Sequence, residues 1–175
     1  MANTFYLIKD YQIGSGGVSS IEFTSMPATD TDLVLKLSLR TGRSDTTDPV
    51  QLWFNGETTG TNYQYKSMWS TGSTSVDSYV NTGTSNQEIQ YATAANSNAN
   101  FFNNYELYLT DYAGSGNKLG LYQSVHQQFD SNSYLVVMSY QWANSSAINS
   151  IKLQSSYGTN ISQYSSAYLY GIKKN

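Results

Sequence analysis

The chain is 175 residues long, with 12% charged side chains, a net charge of −3 and no cysteine. That length fits one domain, residues 1–175, able to bury roughly 70% of the surface its unfolded chain exposes. The composition excludes a disulfide framework, thiolate metal sites and a basic surface for nucleic-acid phosphates.

The opening MANTFYLIKDYQ has no basic segment followed by an apolar run, and no stretch reaches membrane-spanning length. The expectation is a chain without signal peptide, anchor or membrane insertion, made in a cytosol. Sixteen residues are Tyr, two are Pro, and 14% are aromatic. Patterned aromatic content argues against disorder. Tyr and Thr favour strands, and Tyr-rich uncharged surfaces also suit contact faces.

In chain order, residues 4–13 form the first predicted strand. GSGG at 14–17 reads as a hairpin loop, because it lacks the Lys-Ser/Thr ending and the following helix of a phosphate loop. Residues 19–25 form a second strand, with Ile21 and Phe23 on one face. Pro27 and the run ATDTD at 28–32 turn the chain. In LVLKLSLR at 33–40, Leu33, Leu35, Leu37 and Leu39 share one face, and Val34, Lys36, Ser38 and Arg40 the other. That alternation is a half-buried strand of about 26 Å. Residues 50–54 and 63–69 are further short strands. QEIQYATAANSNANFF at 87–102 could hold a helical turn or more, with its Asn-rich second half a loop. Alternation returns at 105–110, in GLYQSVHQQFD at 120–130, and at 134–142. Residues 151–153 and 167–172 close the series. Roughly eight to ten short strands with turn signals between them indicate an all-β fold. The expected architecture is an antiparallel β-sandwich, jelly-roll-like.

No constellation for catalysis emerges. His126 is the single histidine. It sits in a predicted strand without a nucleophile elbow, so a Ser-His-Asp triad is not expected. A zinc ligand set is lacking. Glu22 and Glu106 lie mid-strand, where a glycosidase pair can sit, but they read as solvent-facing strand residues. Asp30, Asp32, Asp45 and Asp48 could ligate calcium, yet match no defined loop and read as turn residues. Trp53 and Trp142 lie in apolar strands and are expected in the core. Trp69, in KSMWSTG, stands closest to a loop and is the candidate for stacking on a sugar. No catalytic, cofactor or metal residue is assigned.

Two segments carry a resemblance. SSIEFTSMPATDTDLVLKLSLRTG at 19–42 resembles a recurring segment in proteins encoded by tailed bacteriophages, particularly marine ones. INSIKLQSSYGTNISQYSSAYLYGIKKN at 148–175 is similar to the closing pattern of the same family. Together they cover about a third of the chain; the middle, about 45–147, has no such match. The resemblance implies a non-enzymatic virion structural protein, on the capsid as a decoration or head fibre. The alternative is a tail-fibre-associated module that binds host glycans; an enzyme degrading surface polysaccharide ranks third. Expected partners are copies of itself as a homotrimer, the major capsid protein or other virion proteins, and in the alternative host surface glycans. No nucleic acid and no cofactor is expected. Localisation would be the virion, after assembly in the bacterial cytoplasm.

Overall fold

The computed structural model describes residues 4–70, 75–127 and 133–173. Among them the chain forms twelve strands and no helix. The first six are β1 (Phe5–Gln12), β2 (Ser20–Phe23), β3 (Asp32–Leu39), β4 (Thr47–Phe54), β5 (Tyr63–Ser70) and β6 (Asp77–Thr84). The second six are β7 (Gln87–Thr93), β8 (Asn103–Thr110), β9 (Lys118–Gln127), β10 (Ser133–Trp142), β11 (Ile151–Ser155) and β12 (Ser166–Ile172). One sheet has eight strands in the order β1-β12-β3-β8-β9-β10-β5-β6, and the other four in the order β2-β11-β4-β7. Every pairing between these strands is antiparallel. The all-β antiparallel sandwich expected from the sequence is therefore present. Its twelve strands exceed the eight of a simple jelly roll.

The leucine strand is the core strand its alternation predicts. Leu33, Leu35, Leu37 and Leu39 of β3 are buried, whereas Lys36 is exposed. Leu35 faces Leu169 of β12 on one side and Leu107 of β8 on the other. Leu52 and Phe54 of β4, with Ile151 and Leu153 of β11, close the core from the smaller sheet. Burying one such side chain stabilises the fold by about 1.5–3 kcal/mol. At the far end Phe54 meets Trp142 with ring centroids 5.5 Å apart, and the Trp142 indole N–H donates to Glu57 Oε2 at 3.0 Å.

The segments 19–42 and 148–173 meet in space. β2 and β3 come from residues 19–42, β11 and β12 from residues 148–175. β11 pairs with β2 and inserts between β2 and β4; β12 pairs with β3 and inserts between β1 and β3.

Three sequence expectations change. The helical turn expected within 87–102 is strand β7, and the Asn-rich stretch after it is a loop. Arg40 holds that loop, donating hydrogen bonds to the carbonyls of Ala95, Ser97, Asn98 and Phe101. GSGG is a tight turn but not a hairpin, because β1 and β2 belong to different sheets. Gly17 there has φ +69°, and a Cβ would come within 2.4 Å of the Ile161 carbonyl oxygen, so only glycine fits. Trp53 is buried, but on the outer face of the smaller sheet opposite Lys152, outside the core cluster. Trp69 is the penultimate residue of β5, at the end of the strand expected at 63–69.

Candidate functional site

The larger sheet extends beyond the smaller one at its β5-β6 end, and a cleft opens there. Alternation along β5 turns Tyr65, Ser67 and Trp69 to the inner face, about 7 Å apart at the usual rise. Tyr79 of β6 stands opposite Ser67, and Tyr134 of β10 adds a further ring on the same wall. Tyr65 and Tyr79 lie 6.0 Å apart with their planes tilted 48°. Glu88 and Tyr91 of β7 form the facing wall. The cleft has a volume of about 320 Å³, within the range of small-molecule sites, roughly 300–1,000 Å³.

A β-bulge makes the β7 wall. Residues three apart in a regular strand point to opposite faces. Here Glu88 pairs with Gln51 and Tyr91 with Pro49, so the register shifts between them and both side chains share one side. Pro49 has no N–H to give the ladder, and the shift falls beside it. The larger sheet anchors this edge strand from beneath. The Tyr122 hydroxyl donates to the Ile89 carbonyl at 3.0 Å. Asn103 Nδ2 and the Tyr105 hydroxyl donate to the Tyr91 carbonyl at 2.7 and 3.0 Å.

Two polar groups of the cleft stand out, the Ser67 hydroxyl and the Glu88 carboxyl. Ser67 is 3% exposed, and its hydroxyl has no hydrogen-bond partner. Behind it, Gln87 Oε1 is also buried and unpartnered, while Gln87 Nε2 rests on the Met138 sulfur at 3.1 Å. Glu88 joins neither of the two ion pairs among the described residues. Burial pushes its carboxyl above the usual range. Burial raises the Tyr65 hydroxyl as well, and the Glu88 charge adds to that rise, opposed by the hydrogen bond from Asn81. Among the described residues no Lys or Arg lines the cleft.

Of the described residues singled out by sequence, Trp69 alone lines this cleft. His126 lies in β9 opposite Tyr134, and its side chain is outside the described part of the structure. Glu22 and Glu106 point from the outer faces of opposite sheets, with Glu106 paired to Lys36 at 2.9 Å. They cannot flank one substrate. The four aspartates are dispersed. Asp30 accepts from the Tyr6 hydroxyl at 2.6 Å, and Asp32 from the Tyr108 hydroxyl at 2.7 Å. Asp45 accepts from the Thr46 amide at 2.7 Å, as a turn residue does. Asp48 is fully buried and accepts from Ser155 at 2.7 Å and Thr159 at 2.9 Å. Asp30 and Asp48 are thus buried hydrogen-bonding groups, Asp30 in the connection before β3 and Asp48 within β4 rather than in a turn. No group of three or more His, Cys, Asp or Glu side chains converges as a metal-ligand set among the described residues.

Sequence reasoning missed Tyr79, Glu88, Tyr91 and Ser67. The alternation of YQYKSMW put Tyr65, Ser67 and Trp69 on one face, which was a usable signal. Nothing local marks Glu88 and Tyr91, because their shared side depends on the bulge.

A second surface is apolar. On the outer face of the larger sheet, Val125 of β9 pairs with Leu135 of β10, and Val137 of β10 with Met68 of β5. Leu119 and Leu121 of β9 and Val80 of β6 share this face. Apart from the half-buried Val137, these side chains are 50–58% exposed. Larger hollows of about 490 and 600 Å³ open beside Val125, but the charges in the first, Lys36 and Glu106, already pair with each other.

No protein-family model matches the chain, and no curated protein matches its sequence.

Proposed function

We propose that the protein is a non-enzymatic structural component of a tailed-phage particle, a β-sandwich carried on the capsid surface as a decoration or head-fibre protein. The observation that carries this reading is the aliphatic band on the outer face of the larger sheet. A soluble monomer rarely exposes a large contiguous apolar patch, whereas a subunit packed against others needs one. The resemblance at 19–42 and 148–175 adds the particle. Its two segments pair in both sheets and so make a common frame. The band and the cleft both lie in the strands between them. Electron microscopy of the intact particle tests the reading. Regular occupancy of capsid lattice positions is the expected result, and absence of the chain from purified particles overturns it.

The second reading places the chain on the tail fibre, as a module contacting host glycans. The aromatic cleft favours it. Density for the chain at the fibre rather than on the head decides between the two.

A further inference from the structure

The cleft holds features that no role in particle packing uses. Rings on two walls leave a slot between the β5-β6 surface and the edge of β7. Tyr79 and Tyr91 are 52% and 42% exposed, so their rings are open to a ligand. Beneath them lie an unpartnered Ser67 hydroxyl and a carboxylate without a cation. A wholly apolar ligand would leave both polar groups buried and unbonded, which is unfavourable. An anion would meet Glu88 with no Lys or Arg to offset it. A quaternary ammonium ion would answer the charge but donate no hydrogen bond to Ser67 or Glu88.

A neutral sugar ring answers every feature at once. It has an apolar C–H face for an aromatic platform and hydroxyls at its edge that donate to a carboxylate and exchange hydrogen bonds with a serine. The roughly 7 Å repeat of inward residues along β5 sets Trp69 beyond Ser67, with Tyr79 across from it.

We infer that this cleft is a binding site for a neutral saccharide unit, with Trp69 and Tyr79 as stacking platforms, Tyr91 closing the opposite side, and Glu88 and Ser67 taking the hydroxyls. This deepens the tail-fibre reading in its chemistry but does not depend on where the chain sits in the particle. A purified-protein binding experiment therefore fails independently of the particle map. The raised Glu88 carboxyl fits the assignment, since a desolvated acceptor without a cation is what a neutral hydroxyl donor relieves.

The test uses the full chain against an array of neutral oligosaccharides ending in glucose, galactose or mannose, then calorimetric titration of the best binder. Binding is expected, and Trp69→Ala and Tyr79→Ala should each weaken it by about tenfold or more. Glu88→Gln, which keeps an acceptor, should weaken it by no more than about threefold, and Leu121→Ser on the outer face should leave it unchanged. Thermal melts check folding; Tyr79 is on an edge strand and half exposed, so its variant decides if Trp69→Ala does not fold. Absence of binding to every neutral sugar overturns the inference. So does affinity that survives both aromatic substitutions. Binding of choline chloride in place of sugars, abolished by Glu88→Gln, makes the cleft a cation site and likewise overturns it.

Discussion

Single residues divide sharply by face. Leu37 is 3% exposed and Lys36, its neighbour, carries its charge to solvent. Leu37→Ala should lower unfolding free energy by about 2–5 kcal/mol. Lys36→Ala should change it by under about 0.5 kcal/mol, since its pair with Glu106 is exposed. Chemical denaturation of both variants checks this, and equal losses would contradict the face assignment. Glu88 behaves in the opposite sense to an ordinary paired carboxylate. Its folded-state pKa is raised by burial, so the native state holds the proton more tightly than the unfolded chain. Its ionisation therefore costs stability as pH rises through the raised value, and the cost vanishes below the ordinary carboxylate range. Glu88→Gln should raise the melting temperature at pH 7 and leave it unchanged at about pH 3. Thermal melts across that range test the sign. Trp69 was legible as a candidate because a tryptophan near a polar run stands out, and it does line the cleft. Glu88 was not, because burial without a partner is a property of the fold.

Most strands were legible from their residue pattern, and β6 and β7 were not. The alternation of β3 and β10 follows directly from a sheet with one face in the core. β6 has no buried residue; it is an edge strand with Gly83 at φ +82° beside a register shift. Its sequence DSYVNTGT therefore carries no period to read. β7 has a buried face, but the bulge sets Ile89 and Ala92 three apart, which imitates a helical turn. Glycine inside β9 has a packing cause as well. Gly120 lies under the ring of Tyr140, and a Cβ there would come within 2.2 Å of it. That ring crosses β9 and its hydroxyl donates to the Tyr108 carbonyl of β8 at 3.4 Å. Gly120→Ala should destabilise the protein by about 1–3 kcal/mol through overpacking. Because the three nearest atoms to that Cβ all belong to the Tyr140 ring, the two sites should couple, so that Gly120→Ala costs markedly less in a Tyr140→Leu background. A double-mutant cycle in urea measures it, and simple additivity would disprove the contact.

At the scale of the whole molecule, edges and faces remain to be covered. β1 and β6 are the free edges of the larger sheet, and β2 and β7 those of the smaller. Exposed edges and an aliphatic face are managed in nature by covering them. We expect a homotrimer, since closed cyclic assembly covers both and the three-fold symmetry of capsid positions or fibres matches it. Light scattering at micromolar concentration should give three times the chain mass, and a strict monomer there and in the particle would refute it. The pairing of the chain's two ends bears on the same surfaces. Phe5 stands opposite Ile172 at one edge of the larger sheet, whereas the cleft lies at the other edge.

That pairing also fixes when the fold can be completed. A ribosome that has made everything up to Ser150 has produced β1 without its neighbour β12, and β2 without its neighbour β11. Neither sheet is complete until residues 151–172, which carry β11 and β12, leave the exit tunnel. The nascent chain must wait with its leucine strand open on one side, a slow, non-local closure of the kind that exposes chains to aggregation. Termination before Ile151 should therefore give insoluble product, visible on fractionating a cell lysate, and soluble folded protein from that truncation would show that the middle strands close on their own. Incomplete copies would then be removed by insolubility alone, a proofreading step that needs no separate factor.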